Sequence, residues 1–315
     1  MTETTAHRFP AAVPPADRPK VPVGKRMLFC VGAQKAGTTW LSKNLSEHPD
    51  CHFYPFEKEL HYFDTAYGAN PGMKTWRLKQ VRRLFDQLDE AEGAAYADLV
   101  HRLQGNLDLL KIFREGQLGA QAWMFHLQRG SGDARYLCDF TPDYAYCPFE
   151  AFEDMASYHA PDGARPKFVF LMRDPVDRHW SFLRMLIRHR DVPLEHAPET
   201  LRGWLQHDVT HGPLSQRNHC NYAQTVAYLE QVAPAQDVLV MFYEDMFEQK
   251  SYDRVCDFLG IARRAGDFSA VHEGIKSDFP GDMFQPLRES LAETYEFAFE
   301  RWGDAVPERW RRAAP

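Results

Sequence analysis

The chain has 315 residues, 44% of them hydrophobic, and a formal net charge of −7. That length and apolar content can bury a sizeable core and sit at the upper edge of one α/β domain, so one folded domain is predicted. The acidic balance argues against nonspecific nucleic-acid binding, which depends on a cationic footprint, and no apolar run approaches the roughly 18–20 residues of a membrane span, so neither nucleic acid nor membrane is expected as a partner.

Met1 to Gly24 carries Pro10, Pro14, Pro15, Pro19 and Pro22 among small and polar residues and reads as a flexible, extended tail ahead of a domain spanning 25–315. It lacks the apolar core of a signal peptide, so the expected location is the cytoplasm. Met27 to Val31 is an apolar run of buried-strand length, and Thr38 to Glu47 reads as a helix that stops at Pro49.

Between them, Gly32-Ala33-Gln34-Lys35-Ala36-Gly37-Thr38-Thr39-Trp40 keeps the glycine frame of a phosphate-binding loop. The ordinary pattern puts lysine directly after the second glycine. Here Thr38 takes that place and Lys35 sits three positions earlier, inside the loop. Strand, tight turn and helix N-terminus in that order aim backbone N–H groups and the positive helix end at an anion.

From Lys74 to Arg129 the pattern is helical and charged, opening with Lys74, Arg77, Lys79, Arg82 and Arg83. Two readings are open. These side chains form a solvated helix face, or the insertion of about 70–130 folds over the acceptor site and Arg77 and Lys79 favour an anionic acceptor.

Further strands are predicted near 136–139, 167–172 and 237–242, with helices near 175–189, 216–232 and 244–259. Lys167 to Met172 runs straight into Arg173-Asp174-Pro175, and Pro175 suits the first turn of a helix. Arg173 therefore falls at a strand end and Ser181 about two turns into the helix, where a guanidinium fork and a hydroxyl can hold a second phosphate. Ser181 on a plain helix surface is the competing reading. Arg184 and Arg188 share a face beyond Ser181 and either extend that site or, like Arg190, face water. Gly274 to Gly281 is a turn-rich loop before a final amphipathic helix. The alternation of strands and helices predicts an α/β fold with a central parallel sheet flanked by helices and ligands at the strand carboxyl ends. Cys30, Cys51, Cys138, Cys147, Cys220 and Cys256 form no C-x-x-C pair and no zinc-like spacing, so they read as reduced, structural thiols and no metal site is predicted.

Taken together these segments resemble the sulfotransferases that use 3′-phosphoadenosine 5′-phosphosulfate. Gly32 to Trp40 resembles their 5′-phosphosulfate loop and Arg173 to Ser181 their 3′-phosphate site. Lys58-Glu59-Leu60-His61-Tyr62-Phe63-Asp64 resembles the K-E-x-H-F-F-D segment of heparan sulfate glucosaminyl 3-O-sulfotransferases, with Tyr62 in place of the first Phe. Phe140 to Tyr144 is similar to the family's S/T-P-x-Y segment, and Val238 to Asp245 to its late core strand. The resemblance implies a general-base role for Glu59 with His61 and Asp64 close to it, donor contacts from Gln34, Lys35, Ala36, Gly37, Thr38, Thr39, Trp40, Arg173 and Ser181, and a further donor contact from Lys276 in a late basic loop. It points to a soluble, bacterial-type relative without the membrane anchor of Golgi members. Cytosolic phenol and steroid sulfotransferases carry T-Y-P-K-S-G-T-T-W and a histidine base elsewhere, so a glutamate base implies an alcohol or sugar hydroxyl on a small-molecule or carbohydrate acceptor.

The chemistry stands beside that resemblance. A hydroxyl is a poor nucleophile at neutral pH, and a carboxylate taking its proton as the S–O bond forms supplies general-base catalysis; Glu59 is the candidate. Lys35 can stabilise the charge that builds on the oxygen bridging sulfur and the 5′-phosphate more than it stabilises the ground state. Competing structural readings pair Glu59 with Lys58 or Lys35, and make His61 a core histidine and Asp64 an orienting or capping residue. A small-molecule P-loop kinase and a noncatalytic nucleotide-binding protein remain alternative functions, and oligomeric state is not legible.

Overall fold

The computed structural model describes residues 14–114, 116–269, 275 and 277–314. Lys276, predicted as a donor contact, lies outside them. The described strands form a five-stranded sheet of order β2-β3-β1-β4-β5, from β1 (Arg26–Cys30), β2 (Cys51–Phe53), β3 (Tyr136–Asp139), β4 (Lys167–Met172) and β5 (Val238–Phe242). The pairings β1–β3, β2–β3 and β4–β5 are parallel. With the helices between the strands this is the predicted α/β fold. The three-residue β2 is too short to carry a periodic signal and escaped the sequence reading. No described helix is long and apolar enough to cross a membrane.

By internal packing the chain groups into two compact units, 1–29 with 46–167, and 30–45 with 168–315. In the first, β1 and β2 flank β3 in register, Met27 opposite Leu137 and His52 opposite the same residue. Its helices are α2 (Tyr62–Ala66), α3 (Met73–Leu88), α4 (Gly93–Ile112), α5 (Gln117–Gln128) and α6 (Phe149–Ser157). Trp123 of α5 is fully buried, stacked on Tyr62 at 5.2 Å between ring centroids and set edge-on to Phe63 at 5.2 Å. Burying an indole removes a large apolar surface from water, so the last helix of the insertion is part of this core rather than an appendage. The described part of the N-terminal segment is anchored here as well. Arg18 Nε lies 2.8 Å from Asp154 Oδ1 and Val21 is buried.

The second unit holds α1 (Thr38–Ser46), α7 (Pro175–His189), α8 (Ala197–Thr210), α9 (Tyr222–Val232), α10 (Gln249–Leu259), α11 (Phe284–Ser290) and α12 (Ala292–Trp302). Phe168 pairs with Val238 and Met172 with Phe242, so β4 and β5 end side by side. Pro175 opens α7 and the Asp174 carboxylate caps it, accepting from the Asp177 N–H at 2.9 Å. The helices predicted near 216–232 and 244–259 begin later, at Tyr222 and Gln249, because short 3₁₀ turns precede them. All six cysteines are buried free thiols.

Candidate active site

In the second unit, residues 31–33 leave the strand but stay alongside β4. Val31 N–H donates to Val169 O at 3.1 Å, Ala33 N–H to Leu171 O at 2.7 Å, and Leu171 N–H to Gly32 O at 2.8 Å. The loop then turns through positive φ at Lys35 (68°) and Gly37 (92°) before α1 starts at Thr38. A left-handed lysine is uncommon and costs of order 1 kcal/mol, and such strain concentrates at binding sites. Glycine is required at 37 on two counts. Its φ suits no L side chain, and a Cβ there would lie 3.1 Å from Tyr243 Cδ2. The first-turn N–H groups of α1 have no intrahelical partner, which makes the loop an anion cradle.

Arg173 follows β4 as Tyr243 follows β5, and the strand register brings them together. The Arg173 guanidinium carbon lies 4.3 Å from the centre of the Tyr243 ring. Its NH1 donates to Lys35 O at 3.0 Å, tying it to the turn of the loop. Tyr222 OH donates to Arg173 O at 2.8 Å, and the Glu244 carboxylate accepts from Asp174 N–H at 2.8 Å. NH1 of Arg184 in α7 donates to Ile275 O at 3.4 Å, and burial together with the positive charge of Arg173 lowers its pKa against the opposing pull of Asp177. Among the described residues, the buried Nε atoms of both arginines have no hydrogen-bond partner. Two guanidiniums close enough to repel, each with an unused donor, form a site that lacks an anion's charge. Ser181 is half-buried three residues before Arg184 and therefore on the same side of α7. Arg188 is exposed and Arg190 stacks on Trp204, so neither joins the site. Trp40 is buried, packing edge-on to Phe247 and donating to Asp267 O at 2.7 Å. Its side chain therefore acts as an anchor for α1.

The other cluster belongs wholly to the first unit. Phe140 N–H donates to Lys58 O at 3.1 Å, suspending the Glu59 segment at the carboxyl end of β3. His61 adopts φ 53° at the entry to α2. Its Nδ1 lies 2.8 Å from Asp64 Oδ2 and 3.8 Å from Asp143 Oδ2, and its Nε2 lies 3.5 Å from Glu59 Oε2. Lys58 Nζ closes on Glu59 Oε1. The His61 side chain is 4% exposed and that of Glu59 29%, so Glu59 is the group that can meet a substrate.

Burial disfavours the charged form of His61, but Asp64, Glu59 and Asp143 outweigh it and raise its pKa well above the usual value. Burial likewise opposes ionisation of Glu59, yet Lys58 and His61 hold its carboxyl far below the usual carboxylate range. At neutral pH the cluster is an imidazolium between carboxylates. His61, Asp64 and Asp143 place ligand atoms within 4.8 Å of one another, a spacing that suits a metal. The same atoms form a hydrogen-bond network through the His61 ring, and a metal would have to displace the ring proton to bind there.

Beneath it, Asp139 at the end of β3 accepts from Thr141 Oγ1 at 2.7 Å, Tyr144 OH at 2.7 Å and Trp123 Nε1 at 2.9 Å. The hydroxyls in turn accept, His61 N–H reaching Thr141 Oγ1 at 3.4 Å and Tyr62 N–H reaching Tyr144 OH at 3.3 Å. Asn70 Nδ2 donates to Asp143 Oδ2 at 3.0 Å. Asp139 and Asp143 were not singled out from the sequence, because Asp139 takes Trp123 as a donor and Asp143 meets His61 and Asn70, all distant along the chain. The Lys58–Glu59 pair is the one the competing structural reading offered. Arg77 is buried, with NH1 3.4 Å from Glu57 Oε2 and 3.3 Å from Asn106 Oδ1, while Lys79 is exposed. The two residues paired in the anionic-acceptor reading thus part company.

The profile of a family described as "Sulfotransferase family" matches residues 28–264. A crystal structure of a sulfotransferase from Alicyclobacillus acidocaldarius is 21% identical with a TM-score of 0.51, over 91% of this chain and 99% of that one. The sulfotransferase domain of the Synechococcus PCC 7002 olefin synthase is 18% identical with a TM-score of 0.44, over 89% and 97%. A sulfotransferase domain from the curacin biosynthetic pathway is 20% identical with a TM-score of 0.42, over 88% and 92%. None of the curated proteins matches.

Proposed function

Since the chain belongs to the sulfotransferase family, we propose that it moves the sulfuryl group of 3′-phosphoadenosine 5′-phosphosulfate to a hydroxyl of a small-molecule or carbohydrate acceptor, with Glu59 as general base. The observation that carries the donor assignment is the Arg173–Arg184 pair, two mutually repelling guanidiniums with unpartnered Nε atoms next to a helix N-terminus. A donor phosphorylated at both ends of its ribose needs two anion sites, and ATP needs only one such run. Bound there, the donor supplies the electrophilic sulfuryl group and a bisphosphate leaving group.

In this reading the residues 32–40 cradle the 5′-phosphosulfate through backbone N–H groups. Arg173, Ser181 and Arg184 hold the 3′-phosphate. Lys35 stabilises the charge developing on the bridging oxygen. His61 is a positioning residue, kept cationic by Asp64 and Asp143, and it orients the Glu59 carboxylate. A carboxylate held this far below its usual pKa is a weak base while Lys58 occupies Oε1. An acceptor hydroxyl that replaces Lys58 removes the largest charge depressing Glu59 and receives its lone pair in the same movement.

Thermal stability with 3′,5′-adenosine bisphosphate, against ATP and AMP, tests the donor site. At about 100 times its Kd the bisphosphate stabilises the fold by about 2.7 kcal/mol. A shift with magnesium ATP alone overturns this reading in favour of a kinase. A bisphosphate shift without any turnover of the donor leaves a noncatalytic nucleotide-binding protein.

A further inference from the structure

On α7, Asp177, Ser181 and Arg184 follow one another at i, i+4 and i+7 and so share one face. An acid in the first turn suits the helix dipole, which accounts for a carboxylate there. It also stands two turns before Arg184, and long side chains on a helix lean back toward its N-terminus. The pull of Asp177 reaches Arg184, opposing burial and Arg173 in their effect on its pKa. With no nearer partner, this carboxylate would claim the guanidinium that a donor phosphate requires and would itself repel that phosphate.

Two arginines from outside the helix take it up instead. Arg312 NH2 lies 2.7 Å from Asp177 Oδ1 and Arg309 Nε 3.0 Å from Oδ2, so both oxygens are engaged. The arginines are three residues apart, a single 3₁₀ repeat in and just after the turn Glu308–Arg311, which sets them on the same side. Trp310 fixes that turn, fully buried and edge-on to Phe242 at 5.4 Å, and Arg288 NH2 donates to Trp310 O at 3.0 Å. The Arg312 guanidinium carbon lies 5.3 Å from the centre of the Phe284 ring, and its side chain is 13% exposed. Asp174 also meets Arg312 NH2, at 3.4 Å, and burial raises its pKa. At Asp177 burial is outweighed by Arg312 and Arg309, which hold that carboxyl below the usual range. Asp177 is therefore the first-turn carboxylate whose charge the two arginines answer.

We propose that Arg312, supported by Arg309, is a positioning residue of the donor site, engaging the Asp177 carboxylate so that Arg184 stays available to the 3′-phosphate. This role presupposes the donor site proposed above. Arg312 needs no contact with the donor, because its effect passes through Asp177 and Arg184. A plain staple of α7 is the competing role. A staple acts through the fold, so removing Asp177 as well would not repair its loss. Removing a carboxylate that has turned toward Arg184 does repair it.

Calorimetric titration of the full chain with 3′,5′-adenosine bisphosphate, in a double-mutant cycle of Arg312→Gln and Asp177→Asn, tests this role. The two substitutions offset each other in charge. Arg312→Gln is expected to weaken binding about fivefold, and Asp177→Asn alone to change it less than about twofold. In the Arg312→Gln background, Asp177→Asn is expected to restore most of the lost affinity. Unchanged affinity in Arg312→Gln overturns the role, as does a loss that Asp177→Asn leaves unrepaired, which marks a staple of the fold. Equal tightening by Asp177→Asn in both backgrounds overturns it too, because the carboxylate then acts on the site whether or not Arg312 holds it. If Arg312→Gln does not fold, the same cycle is read with the exposed Arg309→Gln, where a smaller coupling of the same sign is expected and its absence overturns the role. A wild type that does not bind the bisphosphate removes the donor reading itself. A wild type that binds it, with no coupling between the two positions, removes only the part assigned to Arg312.

Discussion

The phosphate loop with its arginines and the Glu59 segment are both rich in charge, and they handle it in opposite ways. Around Arg173 and Arg184 burial and mutual repulsion outweigh the pull of Asp177 on Arg184, and among the described residues two buried donors are unused. Around Glu59 it is largely paired internally, with the cations Lys58 and His61 set among the carboxylates of Glu59, Asp64 and Asp143. A site with surplus charge is completed by a ligand. A site whose charges are already paired instead fixes the protonation state and direction of one group. The pattern is what separate binding and proton-transfer tasks require.

Removing the reactive carboxylate is the strongest way to break that contrast. Glu59→Gln is expected to lower donor turnover about 10²–10⁴-fold, while the thermal shift with 3′,5′-adenosine bisphosphate stays as in the wild type. Loss of both together would show that Glu59 is an ion-pair partner needed for the fold rather than a base. Lys35→Ala is expected to cost about 10²–10³ in turnover, more than it costs in bisphosphate affinity, read by calorimetry.

On the surplus-charge side, the order of effects is itself the test. Arg173→Ala should weaken bisphosphate binding about 100-fold, because a charge-assisted bond is worth roughly 1.5–3 kcal/mol and this side chain also braces the loop at Lys35 O. The half-buried Arg184 should cost about tenfold on substitution by alanine. Unchanged affinity in Arg184→Ala would confine the site to Arg173.

The paired side should announce itself through pH. His61 has a folded-state pKa well above its unfolded value, so its contribution to stability is complete below about pH 6.5 and is lost as pH rises through the folded pKa. Glu59 behaves oppositely. Its carboxyl is depressed, so its contribution is present above about pH 4.3 and is lost as pH falls through the folded value. His61→Asn should therefore flatten the alkaline fall in melting temperature that the wild type shows, with a loss of about 1–3 kcal/mol at pH 6. A parallel alkaline fall in both proteins would remove His61 as its source. The smallest expected effect is Gly37→Ala, about 1–2 kcal/mol from strain at φ 92° and the approach to Tyr243.

How much of this was legible varies residue by residue. The order strand, glycine loop, helix around Gly32 to Trp40 is local, and it folds as the spacing predicts. So does Asp174-Pro175 at the start of α7, because capping and the fixed φ of proline act within one turn. His61 and Asp64 meet because they are three residues apart at the entry of a helix. The role of Asp139 was hidden, since its three donors come from Trp123, Thr141 and Tyr144 and a buried carboxylate has no sequence signature. The insertion was read as a solvated helical face or an acceptor cover. Trp123 instead packs its last helix into the core, and Arg77 is buried against Glu57 and Asn106.

Sequence alone determined the α/β class, the loop and the candidate acid, base and cation positions, because periodicity, glycine placement and capping are properties of neighbouring residues. Tertiary structure alone decided which charges meet. It favours the cationic form of His61 by surrounding it with Asp64, Asp143 and Glu59, and it brought Arg173 and Arg184 close enough for one to lower the pKa of the other. The reason is electrostatic. A charge takes its energy from whatever lies within a few ångströms, and the partners of a buried one come mostly from distant parts of the chain.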